Sequence, residues 1–223
     1  MDKRVQNALE AAIETTSSVQ KIAVEEFKAE LFKIYDAEAS FVDKLSLQDK
    51  AFDENPQLES LREVFFDLLL VNFFSEDVKK LEEDYLESEE WETIEEDTIE
   101  RGTELLNLLL YLRECSDEEI EPSLEDYLKE FLLVDEDEFQ DEHRIYEDVI
   151  AHQALIESNY EEISRVAKKL PEDSEIGELF YPMLSFFRDL SPAENALASY
   201  AKNSLEPEFD IPVLALLTAY NKP

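Results

Sequence analysis

Two glycines in 223 residues, Gly102 and Gly177, constrain this chain more than any other feature. Tight hairpins, phosphate loops and dinucleotide folds depend on glycine's access to positive φ, which argues against β-rich and Rossmann-type architectures. Helix remains, and the apolar residues recur at helical spacing. Ala23, Phe27, Leu31, Ile34, Phe41 and Leu45 form one such stripe, and Ile176, Leu179, Phe180, Met183, Leu184, Phe187 and Leu190 form another.

Periodicity and punctuation together predict helices over residues 3–15, 18–46, 56–74, 76–87, 89–114, 123–134, 137–157, 159–169, 174–190, 192–204 and 211–221. Ser116 with Glu119, Ser158 with Glu161 and Ser191 with Glu194 fit the capping box, in which a serine oxygen accepts from first-turn amides and a glutamate reaches back. Pro192 then falls at a first helical position, and Asn55-Pro56 opens a helix by the same logic. Pro182, inside its stripe, removes a backbone donor and predicts a kink or break near Tyr181.

The expected fold is all-α: an irregular multi-helix bundle of about 9–11 helices, in a single domain over residues 1–223. A short α-solenoid of helical hairpins is the alternative. Its basis is a likeness of five identities in twelve between the stretches Ser60 to Val71 and Ser123 to Val134. The apolar run from Val64 to Phe74 marks the expected centre of the core. Asp67 and Asn72 interrupt it, and both are expected on a polar edge, because a buried unpaired carboxylate is costly.

The formal net charge is −37, from 57 Asp and Glu against 20 Lys and Arg. Such a surface repels nucleic-acid backbones and anionic lipid, and attracts basic proteins or cations. With 44% of residues apolar or aromatic, the charge sits on a folding chain rather than a disordered one. It is also uneven: residues 75–148 hold 30 acidic and 6 basic residues, a net of −24. Adaptation of a whole surface to salt would spread the charge more evenly.

The polar start shows no secretory h-region, and no window reaches the length of a membrane span. Cys115 is the only cysteine, so an intramolecular disulfide and a multi-cysteine zinc site are both excluded. The expected setting is cytoplasmic. Carboxylates surround Cys115 in sequence and disfavour a thiolate, and no nucleophile elbow, P-loop or nucleotide-binding glycine pattern occurs.

The stretch from Asp135 to Asp148, with His152 beyond it, is the one region that suggests metal or acid–base chemistry. His143 with Glu147, and Asp148 with His152, are i, i+4 pairs. The motifs nonetheless fail. A di-iron bundle needs Glu three residues before each His, where Gln140 and Val149 stand, and an EF-hand needs glycine where Gln140 stands. No metal or other cofactor is expected.

Trp91 is flanked by acids and begins the stripe Trp91, Ile94, Thr98, Gly102, Leu105, Leu109 and Leu112. It reads first as core and second as an aromatic anchor rimmed by carboxylates. The leading functional expectation is a non-enzymatic interaction protein that meets a basic protein partner as a chaperone, adaptor, neutralising protein or charge mimic. Its candidate contact residues are Glu89, Glu90, Trp91, Glu92, Glu95, Glu96, Asp135, Asp137 and Glu138. The alternatives are a metal-binding helical enzyme or carrier using His143, Glu147, Asp148 and His152, and a self-assembling homo-oligomeric scaffold.

Overall fold

In the computed structural model the chain is described over residues 1–76, 87–99, 101–132 and 145–222, without the side chains of residues 76, 90 and 130–132. Among the described residues it is all-helical, with no strand. The α-helices are α1 (Lys3–Gln20), α2 (Glu25–Asp36), α3 (Phe41–Asp53), α4 (Arg62–Glu76), α5 (Glu89–Thr98) and α6 (Leu105–Asp117). They continue as α7 (Leu124–Leu132), α8 (Glu147–His152), α9 (Tyr160–Ala167), α10 (Gly177–Arg188), α11 (Glu194–Asn203) and α12 (Pro207–Tyr220). Among the described residues two 3₁₀ turns, Pro56–Leu61 and Gln153–Glu157, precede α4 and follow α8.

α4 is apolar on all sides and is correspondingly buried from Val64 through Asn72, so it lies at the centre as its composition requires. It packs on α1, α3 and α6, while α10 packs on α9 and α12. The most extensive helix–helix contact pairs α1 with α12, which brings the two ends of the sequence together. In a solenoid each repeat touches only its neighbours. The pairing of α1 with α12 therefore makes this a bundle, and the two similar stretches differ locally: Ser60 lies in a 3₁₀ turn whereas Ser123 precedes α7.

Several helix limits differ from those read in the sequence. The span 18–46 divides, because α1 runs to Gln20 and ends on Lys21 in the left-handed region, and a new helix starts after Ser40. The Ser40 hydroxyl accepts from the Asp43 amide at 3.1 Å and donates to its carboxylate at 2.7 Å. The three expected capping boxes are not N-caps. Ser116 lies in the last turn of α6, Asn159 rather than Ser158 caps α9, and α11 begins at Glu194 after Ala193. The cap before α7 is Ser123, which accepts from the Asp126 amide at 3.1 Å. Pro182 is accommodated inside an unbroken α10.

The span 89–114 also divides. After Thr98 the chain leaves the helix, Gly102 takes φ +90°, and α6 starts at Leu105. The missed signal is Gly102 itself, since an isolated glycine costs a helix interior about 1 kcal/mol relative to alanine. The spans 76–87 and 137–157 fall partly outside the described residues. No helix among the described residues is long and apolar enough to cross a membrane.

Candidate functional site

The densest described acidic run forms α5. Ser88 caps it, its hydroxyl accepting from the Trp91 amide at 3.2 Å. Carboxylates in the first turn also face the positive end of the helix dipole, which favours a start at this point. One side of α5 is apolar: Ile94 is buried, and half-buried Trp91 packs on Phe74 with ring centroids 5.3 Å apart. Trp91 is thus partly a core residue. The rest of the helix surface exposes Glu89, Glu92, Glu95, Glu96 and Asp97. Glu90 belongs to the same helix, but its side chain lies outside the described residues, as do Asp135, Asp137 and Glu138.

Among the described residues none of the five exposed acids of α5 has a Lys or Arg within ion-pair distance. The described bases of the 75–148 segment are engaged elsewhere. Arg101 meets Asp49 and Glu63, Arg113 meets Ser75 and Asp117, and Lys129 meets Glu125 and Asp126. Just beyond the helix, Ile99 is 80% exposed. Sequence reasoning passed over Ile99 because the helix was carried through it. An apolar side chain beside unneutralised carboxylates is the arrangement of an anchor with a charged rim.

What fixes α5 is the turn that follows it. The Arg101 guanidinium donates to both oxygens of Asp49, at 3.0 and 3.1 Å, and its Nε donates to both oxygens of Glu63, each at 3.0 Å. It also lies over the Phe66 ring, 5.1 Å from the centroid. The Gly102 amide donates to Glu63 at 2.8 Å, and Thr103 donates to Asp67 from its amide at 3.1 Å and its hydroxyl at 2.6 Å. Four consecutive groups thus tie residues 101–103 to α3 and α4. Among the described residues α5 has no extended contact with another helix, so this turn and the Trp91–Ile94 face orient it.

Asp67 and Asn72 do not face a polar edge; both are buried. Burial, first of all, drives the Asp67 carboxyl well above its ordinary value, and Glu63 and Glu104 add to the effect against the opposing Thr103 hydrogen bonds. Asn72 accepts from the Asp2 amide at 2.8 Å, while the Asp2 carboxylate caps α1 through the Arg4 and Val5 amides. Both buried polar residues of α4 therefore serve as internal acceptors for chain entering or leaving a helix.

The alternative metal residues do not converge where they are described. Asp148 accepts from the Ser174 hydroxyl at 2.6 Å, and Nδ1 of His152 bonds the Asp148 carbonyl while its ring meets Phe180 edge-on. Glu147 sits in the first turn of α8, and His143 lies outside the described residues. Among the described residues no three His, Cys, Asp or Glu side chains are placed to hold one ion.

Cys115 is buried within α6, and burial is the first cause that raises its thiol pKa. The native protein is expected to react with a thiol reagent such as DTNB at least about a hundredfold more slowly than the urea-unfolded chain, since the exposed thiolate is the reacting species. Comparable rates would show that the thiol is accessible. No protein-family model, curated protein or solved structure matches this chain.

Proposed function

We propose that this chain is a non-enzymatic acidic interaction protein whose 75–148 segment binds a basic protein partner, in a chaperone, adaptor, neutralising or charge-mimic role. The observation that supports the reading is α5: five exposed carboxylates without a counter-cation among the described residues, next to an exposed Ile99. Self-repulsion makes such a cluster costly to keep on a folded surface, and a cationic partner relieves it. Half-buried Trp91 and exposed Ile99 supply apolar contact, while Glu89, Glu90, Glu92, Glu95, Glu96, Asp135, Asp137 and Glu138 steer and align the partner. The same field opposes direct binding to a nucleic-acid backbone. A lone buried thiol suits the reducing cytoplasm.

The test neutralises those eight acids to Gln or Asn and compares capture of basic proteins from the native host at low and moderate salt. Capture is expected to fall at least about tenfold at low salt, with helix content unchanged by circular dichroism. Unchanged capture by a folded variant would reduce the acidity to solvation.

A further inference from the structure

The chain leaving α6, the chain leaving α10 and the end of α12 line one open cleft of about 440 Å³. Its walls include Ile120, Pro122 and Leu190, with Glu119, Glu121 and Lys222 among its charged residues. Each lining segment follows a helix C-terminus, where the aligned peptide dipoles leave a partial negative charge. Cations are therefore favoured there beyond what the side chains alone supply.

The exit from α6 is built in an unusual way. The Ile120 amide donates to the Cys115 carbonyl at 2.8 Å, closing a Schellman turn, and the left-handed residue of that turn is Glu119, at φ +58°. Glycine or asparagine ordinarily takes this position, because an L side chain there is strained by about 1–2 kcal/mol. Here the position carries a carboxylate at the cleft. The next residue of such a turn usually folds its apolar side chain back on the helix, yet Ile120 is 50% exposed. A strained acidic residue, an exposed isoleucine and three helix C-termini thus meet in a concave, largely apolar space.

We infer that this cleft is a docking site for a protein segment that places an aliphatic side chain against Ile120 and Leu190 and an adjacent Lys or Arg near Glu119 and Glu121. The inference rests on the reading of a basic protein partner and adds a second contact point to α5. Lys222 opposes a cationic occupant, so Lys222→Gln strengthens binding.

The probe is an acetylated, amidated peptide of alternating leucine and arginine, titrated into the ¹⁵N-labelled full chain and followed by amide chemical shifts. Saturable shifts are expected at Ile120, Leu190, Ser191 and Asn221. Peptides with glycine for leucine, or glutamine for arginine, should bind at least about tenfold more weakly, as should Ile120→Ser. The double variant Glu119→Gln and Glu121→Gln weakens the arginine peptide selectively and changes only exposed side chains, so it reads the site even where Ile120→Ser unfolds. Absent cleft shifts, equal binding of the glycine peptide, or binding untouched by the Glu119/Glu121 pair would overturn the inference. Neutralising Glu92, Glu95 and Glu96 separates the two readings. Cleft shifts that persist while host-protein capture is also unaffected would leave the docking site standing and remove α5; capture that falls in this variant, with no cleft shifts in the unsubstituted chain, would leave α5 and remove the cleft.

Discussion

Replacing Gly102 with alanine is expected to destabilise the protein by about 2–4 kcal/mol, combining the strain of positive φ with overpacking. At φ +90° an L side chain is strained whatever space surrounds it. Space is also lacking: an added Cβ would lie 2.7 Å from Asp67 Oδ1 and 3.1 Å from two atoms of the Phe66 ring. Neither neighbour yields easily, because Asp67 is held by Thr103 and Phe66 is buried beneath Arg101. The control is Gly177→Ala, where the nearest atom to the new Cβ is Ser174 Cβ at 3.8 Å and no positive φ is involved. That change is expected to be neutral or stabilising by up to about 1 kcal/mol. Urea unfolding of the two variants checks the pair, and amide exchange should show α5 losing protection first in Gly102→Ala. A neutral Gly102→Ala would mean that the 101–103 turn does not hold α5.

The second large effect is on the pH dependence of stability. Asp67 binds its proton more tightly in the folded chain than in the unfolded one, because burial disfavours the carboxylate. Between the ordinary value of 3.8 and its raised folded value, the folded state holds more protons, so stability falls as pH rises through that window. Asp210, also raised chiefly by burial, acts in the same direction. So does the self-repulsion of a chain with a formal net charge of −37, which eases on acidification. Asp126, lowered first by its Ser123 hydrogen bond, opposes this only below the ordinary value of 3.8. Unfolding free energy is therefore expected to be larger at pH 5 than at pH 8. Asp67→Asn should flatten part of that slope. Asp67→Leu should cost about 1–3 kcal/mol across the range, since it removes the acceptor of the half-buried Thr103 amide and hydroxyl. A wild-type chain that gains stability from pH 5 to pH 8 would show that Asp67 is ionised and well compensated.

The fold class was legible because its signals were global. Glycine scarcity and the stripe from Ile176 to Leu190 depend on many residues at once, and Leu179, Phe180, Met183, Leu184 and Phe187 are all buried as the stripe requires. Local punctuation was less legible, because in a chain with 57 acids a serine three residues before a glutamate arises readily by chance. Ser116-x-x-Glu119 has the form of a helix start and is a helix stop, with Glu119 taking the place that glycine usually marks.

The burial of Asp67 was also hidden, since its hydrogen-bond partner is 36 residues away in a turn that the periodic stripe ran straight through. The acidic face of α5 could be located from composition alone. What composition could not supply was the destination of the nearby bases, and Arg101 is spent on Asp49 and Glu63 rather than on α5.

The most direct measurement of the central claim is the association rate of the full chain with its captured basic partner as a function of salt. If the 75–148 carboxylates steer and align that partner, the rate falls by about an order of magnitude or more between roughly 0.05 and 0.5 M salt, as the screening length shrinks to a few ångströms. The eight-acid variant should then show a low, nearly salt-independent rate. A wild-type rate indifferent to salt, matched by the neutralised variant, would contradict the account.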